Sequence, residues 1–150
     1  MSKKRLTEVD NFEEYQMVAI VSHLKDYTLC YHINLNLDFD LVKYNDLVII
    51  SPQGDENSFT WYYFKDEISR TIYYLIGNKC EKGNLLSSQK MVDYFLLIKS
   101  PVIVELASPF TNKLRKISNI TAVFDVNMQQ QKDMENILES IEMHELEFVK

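Results

Sequence analysis

An adjacent acid and phenol, Asp93 and Tyr94 in KMVDYFLLIKS from Lys90 to Ser100, are the residues of this chain best suited to chemistry. As a donor and acceptor pair they would need a second titratable group held against them before they could move a proton in a reaction. The same dipeptide also suits the start of a buried strand. There a lone carboxylate accepts hydrogen bonds from nearby amides, and a tyrosine buries its ring while its hydroxyl finds a partner. The apolar run that follows, Phe95 to Ile98, favours this second role. Val92, Asp93 and Tyr94 are therefore expected to be structural, and no catalytic residue is assigned.

The other reactive types are scattered. His23, His32 and His144 have no paired spacing, and Cys30 and Cys80 form no CxxC, so no metal site is expected. His32, on an apolar stretch, reads as a satisfied or half-buried imidazole. Cys80 lies in a polar connection with no evident base, and no GxSxG elbow presents a serine. With glycine only at positions 54, 77 and 83, neither GxxxxGK nor GxGxxG can be written, so no nucleotide cofactor is expected. Asn34, Asn36, Asp38 and Asp40 alternate and could offer oxygens on one strand face, but no glycine turn is present to wrap calcium; a solvated face is the expectation. Trp61, Tyr63 and Tyr74 could stack on RNA bases, yet no basic residues interleave with them. They read as core or as a protein interface.

Composition bounds the partners. The 150 residues suit one domain able to bury a core without staples. With 46% hydrophobic residues and only three glycines and three prolines, a disordered chain is excluded. A net charge of −6 works against phosphate backbones, so nucleic acid is disfavoured. Lys3, Lys4 and Arg5 read as a solvated tail, and Lys113, Arg115 and Lys116 as the wet face of a helix. No apolar run approaches the roughly 20 residues of a membrane span, and MSKKRLTEVDNFEEY has no apolar signal core. The expectation is a cytoplasmic protein with two reduced thiols.

The elements that must position these residues follow from periodicity. Tyr15 to Val21 predicts a strand covered on both faces. In LKDYTLCYHINLNLDFDLV two periods compete: Leu24, Tyr27, Tyr31 and Leu35 have helical spacing, while Ile33, Leu35, Leu37, Phe39 and Leu41 alternate as in a strand. The reading is a helix over Leu24 to Asn34, then a strand. Asp46 to Ser51 predicts a short extended piece before a turn at Ser51 to Asp55. Phe59 to Phe64 and Ile68 to Ile76, separated by Lys65-Asp66-Glu67, predict a hairpin with two apolar faces, each needing a cover. Glu81 to Lys90 reads as a polar connection interrupted by Leu85-Leu86, and Val92 to Lys99 as a strand. Pro109 to Ser118, capped by Ser108, predicts a helix facing Phe110, Leu114 and Ile117 inward, and Val102 to Leu106 fits either state. Ile120 to Val126 predicts a last strand. Lys132 to Phe148 predicts a last helix with a stripe of Met134, Ile137, Leu138, Ile141 and His144 or Glu145.

HLKDYTLCYHIN, the hairpin ending YYLIGNK, and above all KMVDYFLLIK are similar to segments of the IPExxVDY family of small bacterial proteins. The resemblance runs from about Tyr15 to Leu138. Val92, Asp93 and Tyr94 stand where the signature has VDY, whereas Ser87, Ser88 and Gln89 replace its Ile, Pro and Glu. It implies a fold and a bacterial cytoplasmic setting more than any chemistry.

These readings converge on an α+β domain over residues 15–148 behind a flexible polar lead, residues 1–14. The domain is a mostly antiparallel sheet of five or six strands with about three helices packed on it. The expected role is a non-enzymatic interaction protein that meets a protein partner or its own copy through the aromatic hairpin or the C-terminal helix. An enzyme or small-ligand pocket around Asp93, Tyr94 and the hairpin tyrosines is the alternative, and an RNA-associated accessory protein a weaker one.

Overall fold

Apolar runs with no polar alternation demand cover on both faces, and the three most apolar strands of this chain lie side by side at the centre of one sheet. The computed structural model describes residues 13–101 and 107–149. In chain order the elements are β1 (Tyr15–Ser22), α1 (Asp26–Leu37), β2 (Val42–Lys43), β3 (Leu47–Ile50), β4 (Glu56–Phe59), β5 (Trp61–Asp66), β6 (Thr71–Gly77), β7 (Lys79–Cys80) and β8 (Gly83–Asn84). They continue with β9 (Tyr94–Lys99), α2 (Ala107–Arg115), β10 (Ile120–Val126), a short 3-10 turn (Met128–Gln130) and α3 (Met134–Phe148). Six strands form an antiparallel sheet in the order β10-β1-β9-β6-β5-β2, and β3-β4 and β7-β8 are separate two-stranded ribbons. This is the α+β architecture, with three α-helices among the described residues.

Successive side chains on a strand point to opposite faces, so each central strand feeds two cores. On one face Met17, Trp61, Tyr74, Ile76, Phe95 and Leu97 pack under α3, whose Met134, Ile137, Leu138, Ile141 and His144 form the buried stripe expected from their spacing. On the other face Val18, Ile20, Tyr73, Leu75, Leu96 and Ile98 pack under α1 and α2. Both sides of the aromatic hairpin are thus covered by helices of the same chain. Leu85 and Leu86, the apolar pair that interrupts the polar connection, are buried in the first core and anchor it.

Several boundaries differ from expectation. The strand predicted over Ile33 to Leu41 is not formed, because α1 continues to Leu37. Leu29, Ile33 and Leu37 recur every four residues and are buried, together with Cys30, against the sheet. The alternation in this stretch was a by-product of that helical row. Asn34 then ties the returning chain by accepting from the Leu41 amide at 2.9 Å and donating to its carbonyl at 3.2 Å, so the Asn and Asp residues do not form a strand face. The predicted helical stripe is also on the wrong side. Tyr27, Tyr31 and Leu35 point outward, at 63%, 62% and 67% exposure.

The hairpin turn is longer than Lys65-Asp66-Glu67. Asp66 accepts from the Ile68 and Ser69 amides, and Arg70 takes a left-handed φ of 59°. Ile68, expected inside a strand, is 97% exposed at the tip. Phe59 belongs to β4, and β9 begins at Tyr94 rather than Val92. In α2 the helix includes Ala107, whose amide donates to Gln16 Oε1 at 2.9 Å, and Leu114 and Ile117 are buried as expected. The ambiguous segment 102–106 and the first twelve residues of the lead lie outside the described residues.

Candidate functional site

The alternative reading placed a pocket around Asp93, Tyr94 and the hairpin tyrosines. The sheet divides that set: Tyr94 packs with Tyr62 and Tyr73 on the face of α1 and α2, while Trp61, Tyr63 and Tyr74 lie on the face of α3. Asp93 Oδ2 accepts from the Ser22 amide at 2.8 Å, and its Oδ1 pairs with Lys79 Nζ at 3.0 Å. Its backbone is also engaged, donating to the Ile20 carbonyl and accepting from the Asn78 amide. The Tyr94 hydroxyl donates to the Leu24 carbonyl at 2.7 Å, which holds the crossing from β1 to α1. Burial, with the Asp26 and Asp93 carboxylates, pushes this phenol up to about 12. It is a donor at neutral pH and a poor base.

On the other face three phenols converge on two carboxylates of α3. Tyr74 donates to Glu145 Oε1 at 2.7 Å, Tyr63 to Glu145 Oε2 at 3.0 Å, and Tyr15 to Glu142 Oε2 at 2.7 Å, where Lys99 Nζ also arrives at 3.2 Å. His144 Nε2 donates to the Asn45 carbonyl at 2.7 Å, and its ring meets that of Trp61 edge-on with centroids 4.6 Å apart. Burial first, and the facing carboxylates second, hold all three hydroxyls far above the usual phenol value. A tyrosine that acts as a base needs the opposite shift. The cluster instead latches α3 to the sheet. Of the two readings given to Trp61, Tyr63 and Tyr74, core or interface, they take the first: they lie beneath this helix at 0%, 8% and 0% exposure and present no surface to a partner.

Two further tethers escaped the sequence reading. Asn78 is fully buried and donates its side-chain amide to the Gln89 and Val92 carbonyls at 2.7 and 2.8 Å while accepting from the Leu86 amide at 3.1 Å. It thereby fixes the segment carrying Ser87, Ser88 and Gln89. Its only sequence signal was a turn-like Gly77-Asn78-Lys79. Asp26 accepts from Tyr62 at 2.7 Å and Lys43 at 3.2 Å. Burial would raise the Asp26 carboxyl, but these two donors outweigh it and hold it below its ordinary value.

What remains open to a partner is surface. The outward side of α1 carries Tyr27, Thr28, Tyr31, His32 and Leu35 and no charged residue; the one ionic group of the helix, Asp26, is occupied by Tyr62 and Lys43. A solvent-facing helix side in a chain with 25% charged residues is ordinarily charged. Elsewhere, β3 and α3 border a groove of about 890 Å³, with exposed Val48, Met143 and Leu146 among the acids Asp46, Glu139 and Glu147. Among the described residues no cluster of three or more His, Cys, Asp or Glu could hold a metal ion, and no helix is long and apolar enough to cross a membrane. Comparison with family models, curated proteins and solved structures gives no match for this chain.

Proposed function

We propose that this chain is a non-enzymatic, cytoplasmic protein-interaction module, related to the IPExxVDY proteins through Val92-Asp93-Tyr94. The observation that carries the reading is the uncharged outer side of α1, with Tyr27, Tyr31 and Leu35 aligned and each about two-thirds exposed. Interface centres are depleted in charge and enriched in tyrosine, whereas exposed helices that meet only water carry charge. The polar groups that might have done chemistry are engaged in holding the fold: Asp93 by Ser22 and Lys79, Tyr94 by Leu24, and Tyr63 and Tyr74 by Glu145.

Affinity purification from the native cell tests the reading, with mass spectrometry of retained proteins and small molecules. Wild-type chain should retain a protein that a Leu35→Glu variant of unchanged melting temperature loses. Retention of a small molecule alone, equally by both chains, would defeat the proposal.

A further inference from the structure

We infer that the outer side of α1 receives a second copy of this chain, laid antiparallel across it about a two-fold axis at Tyr31. The inference rests on the interaction-module reading and names its partner. Its first support is the symmetry of the stripe. Tyr27, Tyr31 and Leu35 are spaced by four residues, so a two-fold axis at the middle residue sets Tyr31 on its own copy and Tyr27 on the other copy's Leu35. Every contact off the axis is then made twice, as an isologous interface requires. Rows of this spacing interdigitate in the commonest helix packing, crossing at about −50°.

The second support is charge. Phe39, just past the end of α1, packs on Phe110 near the start of α2 with centroids 5.2 Å apart. Ser22, just before α1, donates from its hydroxyl to the carbonyl of Asn119, just past α2, at 2.8 Å. The two helices therefore run antiparallel on one face of the sheet, so the end of α2, with exposed Lys113 and, just past it, exposed Lys116, is at the same end of the pair as the start of α1, where Lys25 is also exposed. Exposed Asp38 and Asp40 follow the other end of α1. Asp38 sits at the C-cap, the end at which the helix dipole disfavours an acid. An antiparallel copy brings its lysines and its helix N-terminus to these acids and receives the same in return. A parallel or unrelated arrangement leaves the two poles unmatched.

Area sets the strength. The exposed parts of the three side chains amount to roughly 350 Å² per copy, against about 800 Å² per partner in a standard interface. The stripe is thus a centre whose rim comes from α2 and from exposed Val42 on the chain returning past α1. The association belongs in the weak, concentration-dependent class.

Sedimentation of the full chain across a concentration series tests this. Wild type should show a monomer to dimer transition. Tyr31→Glu should weaken it about tenfold or more, as loss of a central tyrosine does. Lys116→Glu should weaken it too, and combining that change with Asp40→Lys in the same chain should restore it. In a Cys80→Ser background under mild oxidation, Tyr31→Cys should cross-link to itself, and Tyr27→Cys should cross-link to Leu35→Cys only when the two chains are mixed. A dimer that survives Tyr31→Glu would overturn the inference and leave the interaction-module reading standing. A wild-type chain that stays monomeric at every concentration would overturn it as well, and the retention experiment above would then decide the broader reading alone.

Discussion

Alkaline pH should unfold this protein cooperatively, because its buried phenols cannot ionise in place. Tyr15, Tyr62, Tyr63, Tyr73 and Tyr74 are all less than a tenth exposed, and burial raises each of them above the ordinary value near 10. The neighbouring carboxylates Glu142, Asp26, Glu145 and Asp66 push the same way. A group raised in the folded state stabilises it fully below the unfolded value and loses that contribution as pH rises toward the folded one. Above pH 10 the unfolded chain therefore releases protons that Tyr15, Tyr62, Tyr63 and Tyr74 retain in the native chain, and stability falls by about 5 kcal/mol per pH unit, four times the single-group slope. The Cys30 thiol, pushed up to about 11 by burial, adds to the loss from about a unit earlier. A domain holding 5–15 kcal/mol in all should be gone within roughly two units above pH 10. The assay is phenolate absorbance read beside far-ultraviolet circular dichroism through an alkaline titration. The part of the absorbance that belongs to the buried phenols should appear only as the circular dichroism is lost, in one steep step. A phenolate rise accounting for all nine tyrosines with helix and strand signal intact would refute the reasoning, since it would mean that the buried hydroxyls reach water in the folded state.

Other expected outcomes concern single tethers. Asn78→Ala strands the Leu86 amide and the Gln89 and Val92 carbonyls and should cost on the order of 3 kcal/mol in chemical denaturation; a change within about 0.5 kcal/mol would show that Asn78 organises nothing. Tyr94→Phe and Asp93→Asn should each cost on the order of 1–2 kcal/mol, and thermal melts unchanged by both would remove their structural role. Ile33→Ala should cost about 2–5 kcal/mol while Leu35→Ala stays within about 0.5 kcal/mol; the reverse ranking would put the other side of α1 against the sheet. In acid, Asp26 and Glu142 contribute the opposite sign. Burial alone would raise both carboxyls, but Tyr62 with Lys43, and Tyr15 with Lys99, hold them low, so the stability they confer is present above about pH 4 and lost as pH falls through their folded values. Denaturation curves at pH 5 and pH 3 should separate for wild type and separate less for Tyr62→Phe, in which Asp26 keeps only Lys43 while Glu142 is unchanged.

The strands of the sheet and the stripe of α3 were legible because their signals are local. A short apolar run with β-branched residues such as Tyr15 to Val21 favours a strand, and Met134, Ile137, Leu138 and Ile141 repeat with the period of a helix whichever face they meet. Around α1 that legibility failed. Ile33, Leu35 and Leu37 satisfy a period of two, Leu29, Ile33 and Leu37 a period of four, and Tyr27, Tyr31 and Leu35 the same period on the opposite side. Hydrophobicity alone cannot rank two apolar sides of one helix; contact with the sheet ranked them.

Composition and periodicity by themselves determined the fold class, most of the apolar segments that became strands and helices of the two cores, and that the sequence holds no glycine-rich phosphate loop and no paired metal-ligand spacing. Tertiary structure decided which side of α1 is covered, that Trp61, Tyr63 and Tyr74 close under α3, and that Tyr94 lies across the sheet from them. It also decided the pairing of Tyr74 with Glu145, 71 residues apart, and of Asn78 with a loop that no spacing rule connects to it. The physical reason is range: backbone preference and side-chain period act over a few residues, whereas burial and hydrogen-bond pairing depend on which distant segments the folded chain brings together.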